Sequence, residues 1–152
     1  GKVGVVRRDP MAMLPFCGYN MGEYFQHWLD MGKKIPNPPK IFNVNWFRLD
    51  ENGKFMWPGF GDNLRVLLWI LARCNDTIDA VESPVGYLPN PEDIDLEGTN
   101  VTPEGLKELL SIDKAAWEAE LEDQKNHLAK FDKLPEEIMH QYEALSERIH
   151  AM

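Results

Sequence analysis

The amino-acid sequence predicts an α/β fold, with α and β elements mixed: a mixed sheet with a hairpin, followed by a helical C-terminal end. The composition changes at Pro89-Asn90-Pro91. The residues before this point are rich in aromatic, glycine and strand-forming residues. The residues after it are charged and follow the period of an α-helix. We therefore predict two domains, residues 1–88 with the sheet and residues 89–152 as a helical subdomain.

The first elements are a strand over residues 1–6 and a helix that follows Asn20. Pro10 and Pro15 prevent a long helix between them, because proline blocks helical backbone on its N-terminal side. Asn20 is suited to cap the helix, and Gly32 with Pro36-Asn37-Pro38-Pro39 to end it. One face of this helix is strongly apolar, so we expect Trp28 to be buried. That face consists of Met21, Tyr24, Phe25, Trp28 and Leu29.

A hairpin is predicted next. Residues 40–48 are β-branched and aromatic, which favours a strand. Residues 50–53, Asp-Glu-Asn-Gly, supply turn chemistry, and residues 54–57 form the returning arm.

Helices dominate the rest of the sequence. Asp62 or Asn63 caps a helix over residues 64–73 that is apolar almost all round, so we expect most of it, including Trp69, to be buried between layers. A short extended stretch follows at residues 85–88. Three further helices are predicted: one after Thr102-Pro103, one after residues 111–113 and one from Pro135.

Composition excludes several classes of function. The formal net charge of −9 argues against a nucleic-acid partner, because an acidic surface repels phosphates. No apolar run is long enough to cross a membrane. The two cysteines, Cys17 and Cys74, and the four histidines lack the spacing of metal ligands. This cysteine usage fits a reducing, cytoplasmic environment.

The chemically informative segment is residues 45–63, where aromatic side chains crowd together. Neighbours on a strand point to opposite faces. Trp46 and Phe47 therefore cannot both face the core, and the same holds for Phe55 and Met56. Some apolar surface is left for another layer or for a flat ligand. The aromatic residues are Trp46, Phe47, Phe55, Trp57 and Phe60.

Polar groups follow these rings. Gly59 and Gly61 flank Phe60 and allow the backbone to approach a ligand closely. Asn63 stands at a helix N-terminus and carries both a donor and an acceptor. The segment fits a purine slot, but from these features alone an ordinary core with a tight strand-to-helix turn is the favoured interpretation. No Gly-x4-Gly-Lys-Ser/Thr phosphate loop and no nucleophile–base set occurs, so no catalytic residue is assigned.

Several blocks of the sequence resemble the GTP-dependent phosphoenolpyruvate carboxykinases, particularly bacterial members such as the actinobacterial ones, over essentially the whole chain. The blocks are Asp9-Pro10-Met11-Ala12-Met13, Pro15-Phe16, Gly18-Tyr19-Asn20, Asn45-Trp46-Phe47-Arg48, Phe55-Met56-Trp57-Pro58-Gly59-Phe60-Gly61-Asp62-Asn63 and Pro84-Val85-Gly86-Tyr87. The sequence departs from vertebrate members at Leu14 and Cys17. It also departs from the common residues of the family at Asp62 and Leu64.

The resemblance implies a C-terminal fragment that includes part of the nucleotide-binding domain within residues 1–88. In this family Phe47 and Phe60 would sandwich the guanine of GTP or GDP, Phe55 would line the slot and Trp46 would back it. Asn63 and the backbone of Gly61-Asp62 would hydrogen-bond the guanine edge. Phe16 would lie near the organic acid, oxaloacetate or phosphoenolpyruvate.

The resemblance also implies that the residues of catalysis, and the ligands of the Mn²⁺ or Mg²⁺ cofactors, precede Gly1. The fragment alone is then expected to be inactive, with the preceding N-terminal portion as its partner. A different hypothesis is a non-catalytic module whose aromatic hairpin grips a peptide or another subunit. Asn63 beside paired glycines argues against that hypothesis, because an apolar protein interface does not need them.

Overall fold

The computed structural model describes residues 8–9 and 12–152, so the strand predicted for residues 1–6 lies outside the described residues. The helices are α1 (Met21–Lys34), α2 (Asn63–Cys74), α3 (Pro103–Leu109), α4 (Lys114–Leu128) and α5 (Glu136–His150). The strands are β1 (Val81–Ser83) and β2 (Gly86–Leu88). The combination of helices with a small sheet agrees with the predicted mixture of α and β structure.

The chain divides into two compact units. One consists of residues 1–38 and 114–152, and the other of residues 39–113. The boundary predicted after residue 88 falls inside the second unit, because Ile94 and Leu106 share a core with Trp57 and Trp69. The functional assignment of residues 1–88 and 89–152 stays a prediction.

The first unit is helical, and the predicted start of α1 is confirmed, whereas the helix continues past Gly32 and ends at Lys34, just before the prolines at residues 36–39. The Asn20 side-chain oxygen accepts a 2.8 Å hydrogen bond from the Gly22 N–H and so caps α1. The Asn20 amide nitrogen donates to Asp132 at 2.6 Å. The Phe25 ring packs edge-on against Phe131, with centroids 5.6 Å apart. The predicted starts of α4 and α5 are confirmed.

The burial predicted for Trp28 is wrong. Met21 and Phe25 are buried, whereas Trp28 is exposed. Its ring packs edge-on against Tyr24, one turn away on the helix, with the ring centroids 6.3 Å apart. The apolar face of α1 is wider than the stripe that the unit covers, because a helix packed on one side buries positions one turn apart.

The second unit is built around a compact core. The residues packed about Trp57, Trp69, Ile94 and Leu106 come from residues 42–46, from α2, from the end of α3 and from the connecting residues 78–80 and 96–101. Thr102 caps α3 through a 3.0 Å hydrogen bond from the Gly105 N–H, as predicted. A 3₁₀ turn (Phe60–Asp62) leads into α2.

The prediction that α2 is buried between layers is wrong for the described residues. Trp69 is buried, and Val66 and Ile70 pack against the same core. The outward positions of α2 stay exposed, since only one stripe meets the core. These exposed residues are Leu64, Leu67, Leu68 and Leu71.

The predicted mixed sheet is not observed in the part of the chain that the structure describes. β1 and β2 form a two-stranded antiparallel sheet in which Val81 pairs with Leu88 and Ser83 with Gly86. Residues 40–48 and 54–57 do not form regular strands, and a single bridge joins Leu49 to Phe55. Two isolated arms are marginally stable without a third strand, and no described strand pairs with these arms. Among the described residues, no helix is long and apolar enough to cross a bilayer.

Candidate functional site

The candidate site starts from a tight turn that joins the two arms. The Asp50 carboxylate accepts hydrogen bonds from the N–H groups of Asn52 and Lys54 at 2.9 and 2.8 Å. Gly53 takes a positive φ of 74°, which glycine adopts without steric cost. The turn at residues 50–53 is therefore confirmed, although the arms beside it are irregular.

Arg48 anchors the first arm to the end of α3. One guanidinium nitrogen donates to the carbonyls of Leu109 and Ser111 at 2.9 and 3.0 Å, and the other donates to the Ser111 hydroxyl at 3.0 Å. A planar guanidinium with several donors is suited to this geometry. The backbone that carries Phe47 is thus held by its neighbour, a role that the sequence did not indicate.

The aromatic side chains divide between core and surface as the alternation argument predicts. Trp46 is half-buried and packs against the core, whereas Phe47 is 71% exposed. Met56 is half-buried, and Phe55 is 59% exposed. The rings of Phe47 and Phe55 meet edge-on with centroids 6.1 Å apart. The core therefore leaves two phenylalanine rings together at the surface.

Phe60 stands at the head of the 3₁₀ turn and is 95% exposed, so its ring packs against almost none of the described residues. Gly59 before it has a φ of 109°, a conformation that residues with a Cβ rarely adopt. The glycine requirement predicted at this turn is thus met by Gly59. A side chain on Gly61 would meet open space.

Asn63 is positioned by a buried indole. The Trp57 Nε1–H donates to the Asn63 side-chain oxygen at 2.9 Å. Trp57 is only 5% exposed, and Asn63 is half-buried at the start of α2. Trp57 is a residue that sequence reasoning left without a role. The signal was available, because a buried indole N–H usually finds an acceptor nearby.

Asp62, the other polar residue of the predicted site, is engaged within the chain. Its carboxylate accepts from Arg65 Nε at 3.0 Å, and its backbone N–H donates to the Gly59 carbonyl at 3.0 Å. In this conformation neither group is free for a ligand, so the side chain of Asn63 is the more available polar contact.

A separate groove of about 380 Å³ runs along α2. It includes Gly61 but none of the phenylalanine rings. Its walls combine apolar side chains, among them the exposed Leu64 and Leu68, with a few charged groups, so it is an apolar feature of the helix rather than the predicted slot. The lining residues are Gly61, Leu64, Arg65, Leu68, Trp69, Ala72, Ile78, Asp93 and Asp95.

Within residues 8–9 and 12–152, no three His, Cys, Asp or Glu side chains come together as a metal-binding group. No chemical step through a metal ion is assigned to these residues. Phe16 is exposed on a turn closed by its N–H and the Met13 carbonyl at 2.9 Å.

The family model of the phosphoenolpyruvate carboxykinase C-terminal P-loop domain matches residues 1–148. This chain belongs to the phosphoenolpyruvate carboxykinase family. Curated carboxykinases named for GTP include one from Anaeromyxobacter dehalogenans (strain 2CP-1), 53% identical over 152 residues. Others come from Corynebacterium efficiens, 50% identical over 152 residues, and Thermoplasma volcanium, 48% identical over 149 residues.

The chain spans about a quarter of these carboxykinases. The matches cover 98–99% of the chain but 25–26% of each relative. The family's domain is described as a P-loop domain, yet the 152 residues contain no Gly-x4-Gly-Lys-Ser/Thr loop. The part of the carboxykinase domain present in these residues therefore offers the aromatic hairpin and Asn63, without a recognisable phosphate loop.

Proposed function

We propose that residues 45–63 form the guanine site of a GTP-dependent phosphoenolpyruvate carboxykinase. Phe47 and Phe60 sandwich the base, and Phe55 lines the slot. Trp46 backs it from the core side. Asn63, together with the backbone of Gly61 and Asp62, binds the polar edge of the guanine. The Asp62 N–H takes part by exchanging its bond to the Gly59 carbonyl for one to the base.

The observation that carries this proposal is the exposure of Phe47, Phe55 and Phe60 in the same unit as the Asn63 amide, which Trp57 orients. A core-forming role would bury these rings, but they are 71%, 59% and 95% exposed. Stacking a base on an aromatic ring contributes about 1–3 kcal/mol in single-strand nucleic-acid binders. Membership of a family whose curated relatives are named for GTP supports guanine as the base.

The whole polypeptide is proposed to convert oxaloacetate and GTP to phosphoenolpyruvate, GDP and carbon dioxide, a decarboxylating lyase and kinase reaction of gluconeogenesis. The Mn²⁺ or Mg²⁺ ions, which supply charge neutralisation at the phosphates and the organic acid, are held by residues outside these 152. The Phe16 side chain lies near the bound organic acid. The proposed location is the cytoplasm.

The slot is tested with Phe60→Ala in the full-length polypeptide. Because Phe60 makes almost no packing contacts, the substitution should leave the free energy of unfolding within about 0.5 kcal/mol of the parent. Loss of one stacking face should raise the KM for GTP roughly 5- to 150-fold, equivalent to about 1–3 kcal/mol. The KM for oxaloacetate should change little.

Tyr87→Ala is the matched control, since Tyr87 is an exposed aromatic residue of β2 in the same unit. It should leave both constants unchanged. An unaltered GTP dependence in Phe60→Ala would show that the ring does not hold the base.

We further propose that the 152-residue chain by itself has no carboxykinase activity. Phosphoryl transfer needs cationic and metal clamps on the phosphates, and the described residues include no metal-binding cluster. Steady-state assays with excess metal, GTP and oxaloacetate should show no turnover above the uncatalysed decarboxylation. Turnover by the purified chain would refute this part of the proposal.

The hypothesis of a peptide-binding hairpin makes a different prediction. Trp46 and Trp57 lie on the two arms, so their fluorescence should be quenched when GTP or GDP enters the slot. A peptide-binding module would show no nucleotide-dependent quenching. In Phe60→Ala the quenching should require correspondingly higher nucleotide concentrations, while the spectrum of the free protein stays unaltered.

A further inference from the structure

From the hydrogen bond between Trp57 and Asn63, we infer that Trp57 is a positioning residue that sets base specificity. It orients the Asn63 amide so that the nitrogen, not the oxygen, faces the ligand. The slot then favours purines with an oxygen at C6 over purines with an amino group there. This inference deepens the proposed guanine site and rests on it.

The orientation of the Asn63 amide follows from the chemistry of its partner. The two ends of an asparagine amide are similar in shape, so their assignment usually depends on the hydrogen-bond network. An indole N–H can only donate. The Asn63 atom 2.9 Å from Trp57 Nε1 must therefore be the carbonyl oxygen, as the structure has it.

The other end of the amide remains available. Asn63 Nδ2 carries two N–H donors, and the described residues provide it with no hydrogen-bond acceptor. Asn63 is half-buried rather than enclosed, so a ligand can reach it. The amide is planar, and fixing its oxygen on Trp57 leaves the nitrogen on the opposite side.

The indole is itself held firmly. Trp57 is 5% exposed and packs in one core with Trp69, Ile94 and Leu106. Reversing the Asn63 amide would bring its N–H groups against the Trp57 N–H, two donors facing each other. The reversal would also leave a buried indole N–H without an acceptor, which proteins avoid. The core thus specifies one orientation of a surface amide.

A fixed donor at this position discriminates between purines. Guanine and hypoxanthine present the O6 oxygen, which accepts a hydrogen bond, whereas adenine presents an N6 amino group, which donates. The Asn63 Nδ2–H donor can bond to the O6 oxygen of guanine or hypoxanthine, whereas it faces another donor in the N6 amino group of adenine. Sites built on a specific hydrogen bond reject the mismatched analogue more strongly than apolar contacts do.

The inference is tested with Trp57→Phe in the full-length polypeptide, by calorimetric titration with GDP, IDP and ADP. Removing the indole N–H frees the Asn63 amide to rotate. The dissociation constants for GDP and IDP should rise about 3- to 10-fold, as expected for one hydrogen bond. The constant for ADP should stay the same or fall, so the preference for GDP over ADP narrows.

Trp69→Phe is the matched control. Trp69 lies in the same core, is 6% exposed, and its indole N–H has no acceptor among the residues that the structure describes. The substitution removes the same atoms from the same core without touching Asn63. It should leave the ratio of the GDP and ADP dissociation constants unchanged, which separates positioning from loss of packing.

Asn63→Asp provides a second variant that does not disturb the core. Its carboxylate keeps an acceptor for Trp57 and replaces the Nδ2 donor by another acceptor. The GDP-to-ADP preference should fall at least tenfold, further than in Trp57→Phe. Comparing the two diphosphates cancels the effect of the added negative charge on the phosphates.

The outcomes separate the inference from the proposed function. A parent protein that binds ADP as tightly as GDP would overturn the guanine slot itself. A parent that prefers GDP, with an unchanged preference in both Trp57→Phe and Asn63→Asp, would leave the slot intact and overturn the role of Trp57. If Trp57→Phe does not fold, Asn63→Asp alone decides, because an unaltered preference there refutes the donor role.

Discussion

Gly22, on the first turn of α1, packs directly against the backbone carbonyl of Lys133. A Cβ added at Gly22 would lie 2.2 Å from the Lys133 oxygen, far inside van der Waals contact. In the same region the Lys133 ammonium pairs with the Glu23 carboxylate at 2.6 Å, and this pairing raises the pKa of Lys133. The backbones at Gly22 and Lys133 can approach this closely because glycine has no side chain.

Gly22→Ala should therefore destabilise the protein by about 1–3 kcal/mol, the usual range for overpacking against an element that cannot yield. Urea unfolding followed by circular dichroism measures the change. Gly32→Ala, near the other end of α1, is the control, because a Cβ there meets nothing within 4 Å. Gly32→Ala should stabilise the helix by about 0.5–1 kcal/mol. Equal effects of the two substitutions would contradict the packing described.

Arg65 links the start of α2 to the loop before α3. It donates to the Asp62 carboxylate at 3.0 Å and to the carbonyls of Asp95 and Glu97 at 2.8 and 2.7 Å. Arg65→Lys should cost about 1–2 kcal/mol of unfolding free energy, since an ammonium cannot reproduce this planar set of bonds. Chemical denaturation provides the measurement.

Lys107→Ala serves as the comparison for Arg65, because Lys107 is an exposed cation on α3 of the same unit. It should change the unfolding free energy by less than about 0.5 kcal/mol. The Arg65 substitution should also release the Asp62 carboxylate and so alter the turn that carries Phe60. A loss of stability no larger than that of Lys107→Ala would contradict the linking role.

The lowered pKa of His127 predicts that the stability of the protein depends on pH. Burial of its ring against Phe131, at a centroid distance of 5.2 Å, lowers the pKa of His127, and the positive charges of Lys130 and Arg8 lower that pKa further. The carboxylates of Asp123 and Asp9 act in the opposite direction but do not reverse the effect. The imidazole Nε2 is buried and has no hydrogen-bond partner among the described residues.

The sign of the effect follows from which state binds the proton. The unfolded chain takes up a proton near the ordinary histidine pKa of about 6.5, whereas the folded protein does so only at lower pH. The contribution of His127 to stability is therefore complete above about pH 6.5 and falls as the pH drops toward the folded-state pKa. His127→Gln should show a weaker loss of stability between about pH 7.5 and 5.5 than the parent. An NMR titration that places the pKa of His127 at or above the ordinary value would contradict this prediction.

The helix boundaries could be predicted because their signals are local. Asn20 and Thr102 bond to N–H groups two or three residues away, and Gly53 provides the positive φ of its own turn. Such preferences act through neighbouring atoms, whatever the rest of the chain does. The alternation of Trp46 with Phe47 likewise follows from backbone geometry.

The predicted strands of residues 40–48 and 54–57, the burial of Trp28 and the burial of α2 could not be decided in this way. β-propensity reflects packing and pairing with neighbours more than an intrinsic backbone preference. The apolar sequence of α2 predicts that other residues can pack against the helix. It does not predict how many faces of the helix are buried within its own unit. In the structure one stripe of α2, centred on Trp69, meets the core, and the leucines on the other side stay exposed.

The sequence by itself determined the family, the order of the helices and which rings could not all enter a core. Only the tertiary structure decided that Trp57 bonds Asn63, that Arg65 holds Asp62, and that Phe60 stands free of the core. The physical reason is range. Helix caps, turns and the alternation of side chains depend on atoms that are a few bonds apart. The acceptor of a buried N–H and the residues that pack against an apolar face depend instead on which parts of the chain folding brings together.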